Sequence, residues 1–407
     1  MSRVRRIADV ADLSAMRDDW NRISGKIPFN RFEWNETWWR HYRDDGELYV
    51  LEVRDDANRV IGIAPWYLKR NAAQGRVLAF MASGEVCSDY QTILCEPGRE
   101  GDVARALADW LSDVRNSLSE WVTREDQDRW DLIEWESAPI DDQILREVAQ
   151  QLKRRGAAVF QRRSDSCWRL ALTESWTEYE ARLSKSHRKQ VRRAIRNVIE
   201  EQRSQFFTAT NEAELEHGFA LLVKLHQRRW TTKGEAGVFA SSRFTTFHKQ
   251  MMWELLQKDM LRLHWLDIDG KTVAAEYCIA GEDVTYCYQG GVDPAELEIE
   301  PGRISKIMML KAAREEGKLA FDMMRGDEPY KPHWRAEEVP CLELRIVARR
   351  AVSRLRNRVW IAGGRVKRMI ASRPQDHRTE QRPRDWQKLA GALEWPEVST
   401  DGLSAGV

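Results

Sequence analysis

Residues that could bind a phosphate lie together between residues 284 and 334. A β-type run, Val284 to Gln289, leads through glycines and prolines into a helix that opens at Pro301 and Gly302. The first amides of a helix lack intrahelical partners, so with the helix dipole they attract an anion. The pattern predicts an anion site at Gly302, Arg303, Ile304, Ser305 and Lys306. An ordinary βαβ packing unit with a glycine at the helix start has the same pattern.

Motifs in the second half of the sequence resemble GNAT-type acyltransferases, in the branch of FemAB-like and cellulose-biosynthesis CelD-like proteins. The resemblance is clear over residues 183–334 and weaker before that. It implies two tandem GNAT-like domains of α/β (α+β) class, each a mixed β-sheet flanked by helices, with acyl-CoA such as acetyl-CoA as co-substrate. The motifs are Leu225-His226-Gln227-Arg228-Arg229-Trp230, Ala274-Ala275-Glu276-Tyr277, Gly291-Val292-Asp293-Pro294, Pro301-Gly302-Arg303 and Gly326-Asp327-Glu328-Pro329-Tyr330-Lys331, with Trp34, Trp38-Trp39, Ala64-Pro65 and Asp89-Tyr90 in the first half.

The resemblance also gives roles to single residues. In acyl transfer, Tyr330 would donate a proton to the leaving thiolate, and Lys331 would neutralise developing charge or a substrate phosphate. Glu276 lies on a strand where superfamily members can place a general base. The alternative for the loop is a packed tyrosine and a solvated lysine. Acceptor binding is assigned to Asp89, Tyr90, His226, Arg229, Trp230 and Asp327, although a histidine on an apolar helix face is more often a core residue.

Composition limits the other possibilities. The 407 residues are 42% hydrophobic and 32% charged, with a formal net charge of +1, which favours a globular protein with no overall attraction to DNA. The six cysteines show no CxxC or metal-ligand spacing, so we expect free thiols, no metal and a cytoplasmic location. Neither a secretory segment nor a run of about 20 apolar residues occurs. Hydrolase, Walker and Rossmann motifs are also missing from the sequence.

Hydrophobic periodicity predicts alternating strands and helices in two halves of similar order. We expect an N-terminal domain at residues 1–175, an acyltransferase domain at 176–344, a basic amphipathic helix at 345–373 and a polar, flexible tail at 374–407. The predicted helices are residues 12–23, 30–42, 103–114, 144–154, 182–196, 212–230, 243–259 and 303–316, and the predicted strands are 48–53, 60–68, 76–81, 89–94, 132–135, 261–267, 272–279, 284–289 and 319–323.

Two basic helices suggest partners. The helix at 182–196 carries five lysines and arginines and no acid from Lys185 to Arg193, so it could face a phosphorylated ligand or be only a solvated connection. The helix at 345–373 could lie on an anionic membrane surface, dock on a membrane-bound synthase, or pack on the protein itself.

The sequence thus favours an N-acyltransferase that moves an acyl group to an amine of an amino sugar or a cell-envelope polysaccharide precursor. Direct attack by the amine is expected, because no cysteine has a histidine nearby in the sequence. Two alternatives stay open. One is a FemAB-type enzyme using aminoacyl-tRNA, and the other is a non-catalytic accessory subunit of a membrane polysaccharide synthase.

Overall fold

The computed structural model describes residues 2–112, 128–371 and 385–389. The predicted flexible tail therefore lies outside the described residues, apart from 385–389. The described helices are α1 (Val10–Ala15), α2 (Arg17–Ile23), α3 (Phe32–Tyr42), α4 (Glu100–Ser112), α5 (Gln143–Arg154), α6 (Trp176–Arg182), α7 (Lys185–Ala194), α8 (Glu212–Thr232), α9 (Ser242–Gln257), α10 (Pro301–Glu315) and α11 (Ala351–Ala371). None of them is long and apolar enough to cross a membrane.

The strands form three sheets. The small sheet has the order β1-β3-β4-β7, the first large sheet β18-β9-β17-β8-β6-β5-β2, and the second large sheet β11-β12-β13-β14-β15-β10-β16. The strands are β1 (Arg3–Ile7), β2 (Glu47–Leu48), β3 (Val50–Arg54), β4 (Val60–Ala64), β5 (Trp66–Asn71), β6 (Gly75–Phe80), β7 (Leu94–Cys95), β8 (Leu132–Pro139), β9 (Ala158–Arg163), β10 (Cys167–Ala171), β11 (Ser204–Thr208), β12 (Leu261–Ile268), β13 (Lys271–Ala280), β14 (Val284–Val292), β15 (Ala320–Arg325), β16 (Glu337–Val339), β17 (Cys341–Val347) and β18 (Gln387–Lys388).

Both halves are built around one parallel strand pair joined through a helix. In the first half β6 pairs with β8 in parallel, with α4 between them in the chain. In the second half β14 pairs with β15 in parallel, with α10 between them. On either side of these pairs the neighbouring strands are antiparallel. The predicted mixed sheets in two tandem GNAT-like units are confirmed.

The two halves exchange one strand each across the predicted domain boundaries. The strand β10, from the chain before residue 176, pairs with β15 in the second large sheet. The strand β17, which crosses the predicted boundary at residue 344, inserts between β8 and β9 in the first large sheet. Local sequence patterns do not report which sheet accepts a strand.

Several predicted elements begin or end elsewhere. Pro65 divides the predicted strand at 60–68, because a proline has no N–H for the ladder, and its two parts enter different sheets. The predicted basic helix starts at Ala351, because residues 345–347 belong to β17. Asp89 and Tyr90 precede β7 in a loop, where Tyr90 has a left-handed φ of 59°.

An aromatic cluster joins the two halves. The Trp34 ring of α3 lies 5.4 Å from the Phe247 ring of α9 and 5.8 Å from the Tyr288 ring of β14, both edge to face. Trp34 and Phe247 belong to one buried apolar core, against which Tyr288 packs, and this core contains residues of both halves. Edge-to-face pairs of this kind add to the stabilisation from burial. The halves therefore share a core and hold a fixed relative position.

A glycine allows the close approach of α8 to β14. A Cβ atom added at Gly291 would lie 2.5 Å from the His226 nitrogen and 2.8 Å from the Leu225 carbonyl carbon, both backbone atoms that cannot move away cheaply. The contact brings the end of α8 over β14. It places Arg229 and Trp230 beside the cavity described next.

Candidate active site

A cavity of about 1050 Å³ opens where β14 and β15 separate. The two strands pair over only three residues, the last pair being Tyr286 with Asp322. Beyond that pair, residues 287–292 of β14 line one wall and residues 323–325 of β15 line another. The start of α10, the helix α7, the end of α8 and the loop after β15 also contribute to the lining. The cavity therefore has open strand edges and a helix N-terminus at the same place.

Glu276 lies at the buried side of this cavity. The carboxyl group accepts a 3.5 Å hydrogen bond from Ser305 Oγ, and its Oε2 lies 3.9 Å from Cys287 Sγ. Gly290 stands opposite in the sheet, and a Cβ there would lie 2.1 Å from Oε2, so only glycine leaves room for the carboxyl. Burial, with the nearby Cys287, raises the pKa of Glu276 to about 8, against the pull of Lys306. Such a carboxyl group is suited to proton transfer near neutral pH.

Lys306 and Cys287 form the second part of the cluster. The ammonium of Lys306 lies 3.5 Å from Cys287 Sγ and 5.1 Å from the centre of the Phe321 ring. The negative charge that Cys287 and Glu276 can carry raises the pKa of Lys306, which overcomes the opposing effect of burial. The predicted site residue Lys306 is thus deep in the cavity. It faces the sulfur and carboxyl groups rather than the outer end of the helix.

The start of α10 differs from the predicted anion site. The carbonyl of Glu300 accepts from the amides of Arg303 (2.9 Å) and Ile304 (3.3 Å), because Glu300 adopts a left-handed φ of 54° and folds back on the first turn. Pro301 has no N–H, and the amides of Arg303 and Ile304 are already bonded. Among the described residues, the Gly302 amide is therefore the one in the first turn that has no protein acceptor. Of the five predicted residues, Gly302, Arg303 and Lys306 line the cavity, Ser305 holds Glu276, and Ile304 is in the core.

Tyr330 and Lys331 have separate surroundings. The side chain of Tyr330 is 46% exposed at the cavity rim, and partial burial raises the pKa of its hydroxyl to about 12, so it stays protonated. Lys331 is 1% exposed, and its ammonium donates to the carbonyls of Met324 (2.9 Å), Arg325 (3.1 Å) and Gly326 (2.9 Å). The ammonium also lies 2.9 Å from Glu328 Oε2, so its three donors are used in holding the loop. Lys331 also lines the cavity, and its contact with substrate stays a prediction.

Most of the predicted acceptor residues lie away from the cavity. Arg229 and Trp230 line it. The carboxylate of Asp89 accepts from the Arg325 amide and guanidinium, and the Tyr90 hydroxyl donates to Asp322 at 2.5 Å. These two buried contacts join the halves.

The remaining two predicted acceptor residues are also structural. Asp327 accepts from the Ser166 amide at 3.3 Å and from the Trp168 indole at 3.2 Å. His226 is 2% exposed and packs edge to face on Phe239, with burial lowering its pKa. Motifs in the sequence mark such residues without showing whether they contact a ligand or other groups of the protein.

The sequence did not identify Cys287 or His187 as site residues. Cys287 faces a lysine and a carboxyl group rather than a histidine, so the lack of a histidine nearby in the sequence does not report its surroundings. His187 follows the N-cap of α7, lines the cavity and has no hydrogen-bond partner for Nε2 among the described residues. Burial, with Arg303 and His333 nearby, lowers the pKa of His187 to about 4. Glu276 and Cys278 alternate along β13, so their side chains lie on one face of the strand. This alternation is the sequence signal that points to the cluster.

Comparison with known proteins identifies the class. Residues 185–332 match the family model described as the acetyltransferase (GNAT) domain. No curated protein matches the chain in sequence. The second half therefore carries a GNAT domain, and the protein is an acyltransferase.

Solved structures give the same fold. The crystal structure of FemX has a TM-score of 0.58 at 11% identity, covering 86% of this chain and 99% of FemX. A conserved protein of unknown function from Bacteroides thetaiotaomicron has a TM-score of 0.53 at 9% identity, covering 84% of this chain and 99% of that protein. At such identities the likeness concerns the fold. Membership of the FemAB-like or CelD-like branch stays a prediction.

Proposed function

We propose that the protein is an N-acyltransferase that takes an acyl group from acyl-CoA, or a similar thioester, and gives it to an amine. The acceptor belongs to an amino sugar or a cell-envelope polysaccharide precursor. The observation that carries the proposal is Glu276, a carboxyl group buried beside a large cavity, with its pKa raised to about 8. The choice of acceptor rests on the CelD-like resemblance.

The chain's residues have distinct tasks in this reaction. The open edge of β14 and the Gly302 amide would bind the amide and phosphate groups of the donor. As the amine attacks the thioester carbonyl, ionised Glu276 accepts its proton. Tyr330, protonated at neutral pH, donates to the departing thiolate. The simplest course, which the sequence favours, is direct attack on the donor.

Isothermal titration calorimetry with acetyl-CoA tests the donor class. Gly302→Asp places a carboxylate beside the free amide, so we expect Kd to rise about tenfold, by like-charge repulsion. Gly302→Asn is the matched neutral control and should bind within about threefold of the wild type, because a Cβ at Gly302 meets only Val292, at 3.7 Å. Absence of binding to the wild type would contradict the acyl-CoA proposal.

The exposed charge on α7 supports a second candidate, an aminoacyl group carried on tRNA. Lys185, Lys189 and Arg196 are exposed on or just after the helix that lines the cavity, and no acidic side chain among the described residues pairs with them. In the same titrations, an RNA donor would bind with a steep loss of affinity as salt rises, whereas acetyl-CoA would lose less. Binding of acetyl-CoA without binding of tRNA would exclude this candidate.

The helix α11 presents its apolar residues outward, which supports a peripheral position at the inner face of a membrane. Val352, Leu355 and Val359 are 55%, 61% and 64% exposed. The buried side is polar, with Ser353 Oγ donating to Asp131 at 2.5 Å and Asn357 accepting from Arg345 at 3.1 Å. Arginines flank the apolar stripe, as in helices that lie on anionic lipid. We propose this lipid surface as the partner of α11.

Sedimentation with vesicles tests that partner. The double variant Leu355→Ser/Val359→Ser should bind vesicles of anionic lipid at least about tenfold more weakly than the wild type, since it loses two apolar side chains that lipid would bury. Leu319→Ser, at a leucine 55% exposed elsewhere on the surface, is the control and should bind like the wild type. Equal binding of neutral and anionic vesicles, or none, would contradict the proposal.

A further inference from the structure

Cys287 occupies the point where the cavity begins. It is the first residue of β14 after the last pair with β15, and its thiol is half-buried and lines the cavity. Cys167, Cys278 and Cys341 are buried, and Cys87 is exposed but absent from the cavity lining. Among the described cysteines, Cys287 alone lines this cavity.

The groups around the sulfur come from three elements. Lys306 of α10 places its ammonium 3.5 Å away, and Glu276 of β13 places Oε2 3.9 Å away. Cys278 stands directly opposite in the β13–β14 register. The neighbouring Cys278 thiol, with the charge of Lys306, lowers the pKa of Cys287 to about 6, against burial, and Lys331 adds to the effect. A thiolate beside a lysine is a strong nucleophile.

From this arrangement we infer that Cys287 accepts the acyl group from the donor thioester and passes it on to the amine. The inference rests on the proposed function and replaces direct attack by two steps. It adds a covalent site on the protein, in the same cavity.

The chemistry balances with residues already present. The Cys287 thiolate attacks the donor carbonyl carbon, a new C–S bond forms, and the C–S bond to the donor breaks. In this route the departing thiolate takes the proton of neutral Glu276 rather than that of Tyr330, and Glu276 becomes a carboxylate. The amine then attacks S-acyl Cys287 and gives its proton to Glu276, while the Cys287 thiolate leaves beside the Lys306 ammonium. The site returns to its starting state without an oxidant, reductant or metal.

Mass spectrometry after incubation with acetyl-CoA and no acceptor tests the inference. We expect one acetyl group on the peptide that contains Cys287, removed by neutral hydroxylamine as a thioester is. Cys287→Ala should lack this group and lose at least about 100-fold in acyl transfer. Cys87→Ser is the matched control and should keep both the acetyl group on the Cys287 peptide and the rate of acyl transfer. Folding of the Cys287→Ala protein is checked by its thermal unfolding midpoint.

Alkylation by iodoacetamide tests the thiol without any donor. At about pH 7 Cys287 should react at least about tenfold faster than Cys87, because desolvation by neighbouring groups raises the pKa of the Cys87 thiol, and the ratio should shrink as the pH rises. The facing titratable groups are Glu276, Cys278, Lys306, Tyr330 and Lys331, so Lys306→Met should abolish the advantage of Cys287.

The outcomes separate the two proposals. Acetyl-CoA binding, with slow alkylation of Cys287 or full turnover by Cys287→Ala, would overturn the covalent step and leave the proposed function intact. Fast alkylation of Cys287 without acetyl-CoA binding would overturn the donor class and support the nucleophile. Slow alkylation without binding would overturn both.

Discussion

Replacing Glu276 by glutamine is expected to lower kcat by about 10²- to 10⁴-fold, the usual contribution of a positioned acid or base. The substitution keeps the shape of the side chain, which matters because Gly290 leaves no spare room beside it. Donor binding should change little, since the Gly302 amide and the β14 edge remain. Release of the free thiol from acetyl-CoA in the presence of an amino-sugar acceptor measures the rate.

The dependence of the wild-type rate on pH follows from the protonation state of Glu276. Burial raises the pKa of Glu276 to about 8, so the carboxyl group is largely protonated below that pH and cannot accept the proton of the amine. For direct attack by the amine, the rate of transfer should therefore rise through about pH 8, and Glu276→Gln should remove this rise. The covalent route through Cys287 begins with neutral Glu276 and should not show this rise. Glu298→Gln, at an exposed carboxylate outside the cavity, is the control and should keep both rate and profile. A Glu276→Gln rate within about threefold of wild type would exclude Glu276 as the proton acceptor.

Replacing Lys331 by methionine is expected to lower the free energy of unfolding by about 3–5 kcal/mol. Methionine fills similar space but leaves three inward carbonyls, those of Met324, Arg325 and Gly326, without their donor. Each such buried acceptor costs about 1–3 kcal/mol when it loses its hydrogen bond. Urea unfolding followed by tryptophan fluorescence measures the change.

Lys224→Met is the matched control for that experiment. Lys224 is exposed on α8 and has no acidic partner among the described residues, so its replacement should change stability by less than about 0.5 kcal/mol. A Lys331→Met protein with unchanged stability and lost turnover would support the substrate contact predicted from the sequence.

Periodicity and turn residues were enough to predict the central elements of the fold. The predicted strands at 48–53, 261–267, 272–279, 284–289 and 319–323 are confirmed as β3, β12, β13, β14 and β15. The strands β1, β9, β10, β11, β16 and β17 were not predicted. For β10, β16 and β17, pairing with strands far along the chain leaves no local periodic signal. Their place in a sheet is decided by partners more than 100 residues away.

The candidate site was predictable where it depends on local geometry. The turn into α10 brought Gly302 and Lys306 to the cavity, and the loop after β15 brought Tyr330 to its rim. The directions of Lys331, Asp89 and Tyr90 were not predictable, because each satisfies buried polar groups that the chain assembles only in three dimensions. The surroundings of Cys287 were not predictable either, because Lys306 reaches its sulfur only when α10 packs against β14.

The exchange of β10 and β17 has a consequence for how the molecule can be divided. A cut between residues 175 and 176 would leave the second large sheet without β10, while β17 would be supplied to the first large sheet only by the other fragment. Neither fragment has a complete sheet, so we expect them to recover structure only when mixed. Heating the intact chain should accordingly give one cooperative calorimetric transition, with no separate melting of a lone half.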